Sequence, residues 1–224
     1  MIGRNGKLFK FLGTINWAKE TLGQMGPKEQ FRTLLIWMFA VAFPDIMPSK
    51  PILIAEGAPG AGKTLCLQVI QAMVHGSTQL LSISKNGERD FWVALLRNPI
   101  TVLDNTDDFI EWLPDALCGY STGSGKVERE LHTNTGEVRI RPRAFLAVAS
   151  KDPKSFRRDD VADRSIVLRM EKRPKEKQGS LDDILRETAR DRALIYGEYL
   201  YYLNRIVASL QRQHVYRLSH RMAD

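Results

Sequence analysis

Pro51-Ile52-Leu53-Ile54-Ala55-Glu56-Gly57-Ala58-Pro59-Gly60-Ala61-Gly62-Lys63-Thr64 decides the fold of this 224-residue chain. Its first half is short and almost entirely apolar, as expected of a strand buried on both faces. Its second half fits G-x-x-x-x-G-K-[ST], and a helix from about Gly62 to His75 is expected to follow. Glycines let backbone N–H groups turn inward and wrap phosphate oxygens with no Cβ in the way. The helix N-terminus adds unpaired N–H groups and a dipole that favours an anion. Lys63 supplies a point charge toward a β/γ-phosphate, and the Thr64 hydroxyl suits Mg²⁺. By chance the pattern arises in on the order of one chain in a hundred of this length, and the strand-then-helix context lowers that further.

Working outward, more buried strands are expected at 100–104, 144–149 and 165–170, with a short one at 80–84. Helices are expected at 28–43, 88–97 and 107–118, the last interrupted at Pro114, and at 181–213 as one helix or two. Lys126–Arg141 alternates with period two around Thr133-Asn134-Thr135-Gly136, a hairpin signal. Strands alternating with helices imply an α/β fold with a largely parallel sheet. The chain divides into a lead-in or small subdomain (1–27), a core (28–172), a charged linker (173–180) and a helical C-terminal segment (181–224).

Leu103-Asp104-Asn105 ends the strand at 100–104, 41 residues after Lys63. A carboxylate there can reach Mg²⁺ from across the sheet. The following position holds an amide, which orients water by hydrogen bonding but cannot act as a base. Glu56, Asp107 and Asp108 are the nearby carboxylates that remain.

Together these residues resemble those of AAA+ ATPases, and more narrowly the ATP-binding, helicase-like proteins of phages and mobile elements related to superfamily 3 helicases. The resemblance covers roughly residues 30–172 and rests on four blocks. They are the Gly57–Thr64 loop, Val102-Leu103-Asp104-Asn105, the run Trp112–Cys118 with Ser121–Gly125 and Arg129–Thr133, and Arg157–Arg164. His132 stands where tyrosine is frequent. The resemblance implies a P-loop NTPase of the AAA+ (ASCE) type, a three-layer α/β sandwich with an inserted β-hairpin and C-terminal helices.

It also implies roles. Gly57, Ala58, Pro59, Gly60, Ala61, Gly62, Lys63, Thr64 and Leu65 would hold ATP, and Thr64 and Asp104 would hold Mg²⁺. Asn105 and Ser150, the latter at the sensor 1 position, would place water and the γ-phosphate. Arg164 would reach into a neighbouring subunit's site as an arginine finger. A salt bridge with Asp160 or Asp163 is the plainer reading of Arg164, and Arg157 and Arg158 are rival fingers or DNA contacts. No sensor 2 arginine is marked by a motif; Arg186, Arg190 and Arg192 are the candidates. The hairpin cations Lys126, Arg129, Arg139 and Arg141 would track single-stranded DNA in a central pore, while Glu128, Glu130 and Glu137 keep an ordinary solvated hairpin as the alternative.

The family expectation is therefore a ring-forming homo-oligomer, a hexamer, acting as a replicative helicase-like motor with a primase or other replication partner. The alternatives are a nucleotide-gated helicase loader that does not unwind, and a single-chain P-loop kinase. Composition fits this frame. The chain carries a formal charge of +7, and residues 141–177 alone contribute +6, so the basic excess is local and part of it belongs to the finger segment. Cys66 and Cys118 have no metal-ligand spacing, and neither do the four histidines. No apolar run reaches membrane-spanning length, and the expected setting is the reduced cytoplasm. The run Ser219–Asp224 carries no stop signal for its helix, so a longer protein is compatible with this sequence.

Overall fold

The computed structural model describes residues 6–19, 25–47, 49–124, 126–129, 137–140, 142–173 and 180–212. In chain order the elements are α1 (Lys7–Leu12), α2 (Pro27–Ala40), β1 (Ile52–Gly57), α3 (Lys63–His75), β2 (Leu80–Ser82), α4 (Glu88–Arg97) and β3 (Ile100–Asp104). There follow α5 (Leu113–Ser121), β4 (Lys126–Arg129), β5 (Glu137–Ile140), β6 (Phe145–Ser150), α6 (Asp159–Ala162), β7 (Ser165–Met170) and α7 (Leu181–Leu210).

Five strands form one parallel sheet in the order β2-β3-β6-β1-β7. The strands read as unbroken apolar runs because both faces are covered. Leu53, Ala55, Val102, Phe145 and Ala147 face one core with residues of α1, α2, α3 and α7. Ile52, Ile54, Leu103, Leu146 and Val148 face the other, with α4 and α5. Each leucine, isoleucine, valine or phenylalanine among them contributes about 1.5–3 kcal/mol by leaving water. The result is the three-layer sandwich expected from the sequence. Among the described residues no helix is long and apolar enough to cross a membrane.

Two elements differ from the sequence expectation, and a third settles one of its alternatives. Residues 107–112 are not helical, and the helix begins only at Leu113 with Pro114 in its first turn. Proline lacks an N–H that the first turn does not need, so it starts this helix and does not break it. The described C-terminal segment is one 30-residue helix, because Gly197 alone does not stop a helix held by packing. The helix expected at 28–43 runs Pro27–Ala40.

Residues before α2 pack into the same core as the sheet: Leu8, Leu12 and Ile15 are buried against it. The first N–H groups of α1 have no side-chain cap of their own. Glu198 of α7 accepts from Lys7 N and Leu8 N, both at 3.0 Å, and Lys7 Nζ bonds Asp191 at 2.5 Å. α7 is fixed from its other side by Tyr199, whose hydroxyl donates to Met38 O at 3.0 Å and whose ring stacks on Phe39. Tyr199 is thus a packing residue between α7 and α2, whereas Tyr201 on the same helix is exposed.

β4 and β5 pair antiparallel as a separate ribbon, Lys126 opposite Ile140 and Arg129 opposite Glu137. The side chains of Lys126, Arg129 and Arg139, the turn at 133–136, His132 and Arg141 lie outside the described residues, and so do 174–179 of the charged linker.

Candidate functional site

Sheet register builds the site. β6 lies between β1 and β3, so Ser150 pairs with Glu56 and Asp104 pairs with Ala149 at adjacent strand ends. Carboxyl ends of parallel strands are where α/β sheets bind ligands, because the connections diverge there.

The loop leaving β1 turns tightly against β7. A Cβ on Gly57 would lie 2.3 Å from Met170 O, so only glycine lets the two backbones approach. Gly62 has φ 83° and is the N-cap of α3, which directs the first N–H groups of that helix toward the loop. Lys63 Nζ donates to the loop's own carbonyls, Gly57 O at 2.7 Å and Ala58 O at 3.1 Å. Burial lowers the Lys63 pKa, against the opposing pull of Asp107 and then Asp104.

The two ends of the expected metal site meet. Thr64 Oγ1 donates to Asp104 Oδ1 at 2.9 Å, joining α3 to the tip of β3. One hydroxyl and one carboxylate fit Mg²⁺, which keeps waters and phosphate oxygens for most of its octahedron. Among the described residues no cluster of three His, Cys, Asp or Glu side chains offers a metal cage of its own.

Asn105 is exposed and has φ 57°, a left-handed conformation that asparagine tolerates better than most residues. Ser150 is buried, and its hydroxyl donates to Asp107 Oδ1 at 2.5 Å. The same oxygen accepts from Lys151 N at 2.8 Å and Asp152 N at 3.1 Å. Desolvation pushes the Asp107 pKa up, but these hydrogen bonds and the Lys63 charge outweigh it and the net shift is downward. Glu56 instead pairs with Arg169 at 3.1 Å, across β1 from Ser150.

Beside the loop is a cavity of about 140 Å³. Gly60, Gly62 and Leu65 form one wall, and Phe11, Ile15 and Arg173 close it. Leu65 was expected at the site, whereas Phe11, Ile15 and Arg173 were not. They carry no motif and come from segments more than 150 residues apart in the chain. Cys66, on the same helix, is a core thiol whose pKa burial raises to about 12. Arg186, Arg190 and Arg192 are engaged along α7 or with α3: Arg186 with Asp183, Arg190 with Glu187 and Asp191, and Arg192 Nε with Ala72 O at 2.9 Å.

The arginine segment is differently arranged. Arg157 pairs with Asp152, and Arg158 bonds both carboxylate oxygens of Asp160, at 2.6 and 2.8 Å, as well as Asp115 at 2.7 Å. The Arg158 hydrogen bond holds the Asp160 carboxyl at about 2. Arg164 Nη1 donates to the main-chain carbonyl of Asp160, not to its carboxylate, and Arg164 Nε is buried with no acceptor among the described residues.

Residues 23–224 match the model of a family described as the actinomycete integrative conjugative element replication protein. The chain belongs to this family. This replication protein also resembles solved structures at low identity. A structure of the NrS-1 C-terminal region (305–718) is 15% identical with a TM-score of 0.52, over 84% of this chain and 48% of that one. Two structures of JCV helicase are 14% and 15% identical, with TM-scores of 0.46 and 0.48. The first, bound to a substituted N-phenylacetamide compound, covers 78% of this chain and 49% of that one; the second covers 81% and 56%. The replication protein spans about half the length of these structures. No curated protein matches its sequence. The NrS-1 likeness shows the α/β fold, and the family is one described as the replication protein of a conjugative element.

Proposed function

We propose that this replication protein is an Mg²⁺-dependent ATPase of the AAA+ type that assembles as a ring, a hexamer, and acts on DNA as a helicase-like motor. The observation that carries the reading is the Thr64–Asp104 hydrogen bond of 2.9 Å. It joins the phosphate loop, the α3 N-terminus and the β3 carboxylate into one site at the strand ends. In this reading the loop amides from Gly57 to Leu65 and the Lys63 ammonium hold the β- and γ-phosphates. Thr64 and Asp104 hold Mg²⁺, which neutralises charge on the transferred phosphoryl group. The apolar cavity beside Leu65, Phe11 and Ile15 receives the base.

Arg164 completes a neighbour's site. Its Nε is buried with no acceptor among the described residues, which costs about 1–3 kcal/mol, so swinging the guanidinium away from Asp160 O to a neighbour's phosphoryl oxygen would end that cost. Lys126, Arg129, Arg139 and Arg141 on the ribbon contact single-stranded DNA through its phosphates. The domain limits expected from the sequence, with a core at 28–172, belong to the same proposal, as does a primase or other replication partner.

The test is ATP turnover per protomer against protein concentration, with and without single-stranded DNA. Turnover that rises with concentration and with DNA is expected. Turnover that is absent, or flat in both, overturns the reading.

The exposed amide at 105, where a carboxylate would activate water, favours a second reading: a nucleotide-gated loader that binds DNA without unwinding it. Strand displacement on a forked duplex separates the two, because a loader hydrolyses ATP without releasing a strand.

A further inference from the structure

An ATPase whose β3 carboxylate is followed by an exposed amide has no carboxylate at that position to hold its attacking water. Three other carboxylates lie near the strand ends. Glu56 is paired with Arg169 on the β7 side. Asp108 is exposed, and its main-chain carbonyl, not its carboxylate, contacts the fold through Ser155 Oγ at 3.4 Å. Asp107 is held in a different way. All three of its donors, Ser150 Oγ, Lys151 N and Asp152 N, converge on Oδ1. Oδ2 accepts no hydrogen bond among the described residues. Of the two carboxylates that act on the Lys63 ammonium, Asp107 acts the more strongly. One oxygen therefore anchors the group to the tip of β6, and the other is left to accept from a ligand on the phosphate side.

We propose that Asp107 is a catalytic residue whose Oδ2 orients the attacking water, and that Ser150 is a positioning residue acting through it. This rests on the reading of the site as an ATPase. In the step concerned, the water oxygen forms a bond to the γ-phosphorus while the bond from that phosphorus to the β,γ-bridging oxygen breaks. ADP leaves with the electron pair, and the water's proton passes to the phosphate product or to solvent. Asp107 gains no net proton. Phosphoryl transfer with a loose transition state needs an acceptor that aims the water more than it needs a strong base, and an anchored, ionised carboxylate meets that need. Ser150 then differs from a residue that contacts the γ-phosphate directly, because its hydroxyl proton is committed to Asp107.

The experiment measures steady-state ATP turnover and, separately, equilibrium binding of a fluorescent ATP analogue with Mg²⁺, for wild type, Asp107→Asn, Ser150→Ala and Ser150→Thr. Asp107→Asn keeps the shape of the side chain and is expected to lower kcat about 100-fold or more, with analogue affinity within about three-fold. Ser150→Ala should lower kcat about ten-fold, and Ser150→Thr, which restores the hydroxyl, should recover most of that loss. Asp107→Asn turning over at the wild-type rate overturns the assignment. So does parallel loss of binding and turnover, which marks a structural role. Wild type that binds the analogue and never hydrolyses ATP overturns the parent reading, and the assignment with it.

Discussion

The strand-end site and the arginine segment 157–164 are both dense in charge, yet they are organised oppositely. At the strand ends the charged and polar groups converge from β1, α3, β3 and β6 on one space, and each bond there prepares a place for a ligand: Thr64 to Asp104, Ser150 to Asp107, Lys63 to its own loop. In the arginine segment Arg157 and Arg158 are matched by Asp152, Asp115 and Asp160 of the same chain, and Arg164 is bonded to a carbonyl one helical turn back. The proposed phosphate site draws its first region from one chain. The second is matched within one chain, and in the proposed trans role Arg164 would give up its contact with Asp160 O. The excess of residues 141–177 already counts Asp152 and Asp160; acids outside the segment, Asp45, Asp115 and Glu56, pair with Arg143, Arg158 and Arg169, so net charge says little about partners here.

The most severe way to break this contrast is Lys63→Ala. It is expected to abolish ATP binding at working concentrations and to lower turnover roughly 1,000-fold, which nucleotide-binding and phosphate-release assays check. Arg164→Ala is expected to lower turnover about 1,000-fold as well, with nucleotide affinity within a few-fold, since the residue belongs to the neighbour's site. Normal hydrolysis by Arg164→Ala would return the residue to a purely internal contact. Arg158→Ala sharpens the comparison from the other side. Its partners are its own chain's acids on an exposed surface, so turnover should stay within about three-fold and stability should fall by less than about 1 kcal/mol in denaturant melts.

The ribbon gives a smaller effect that is specific to nucleic acid. Replacing Lys126, Arg129, Arg139 and Arg141 together should weaken single-stranded DNA binding and reduce the salt dependence of log K by up to about 3, at about 0.7 per lost phosphate contact. ATP turnover without DNA should not change.

Much of the scaffold was legible in the sequence because burial on both faces writes a parallel strand as an apolar run. Ile100–Asp104 and Ser165–Met170 have the bounds their composition suggested, and so does the helix Glu88–Arg97. Local sequence failed where tertiary contacts decide. Residues 107–112 carry enough polar and apolar alternation to suggest a helix, yet this segment is pinned as a loop by Ser150, Lys151 and Asp152 through Asp107, and by Ser155 Oγ accepting from Ile110 N at 3.0 Å. The same bonds hold Asp107 at the tip of β6, and a contact across 43 positions leaves no periodic trace. The cavity beside the loop is similar: Phe11 and Arg173 meet there because the segment after α1 is tied to the end of β7, with Arg173 Nη2 donating to Thr14 Oγ1 at 3.0 Å and Glu171 N to Asn16 O at 2.8 Å.

The central claim is that a working ATP site takes its phosphate loop from one chain and Arg164 from another. Mixing Lys63→Ala with Arg164→Ala protein, each inactive alone, tests it most directly. The account predicts that turnover returns on mixing, up to about a quarter of wild type for random pairing across a heterologous interface. A mixture as inactive as its two components would contradict it.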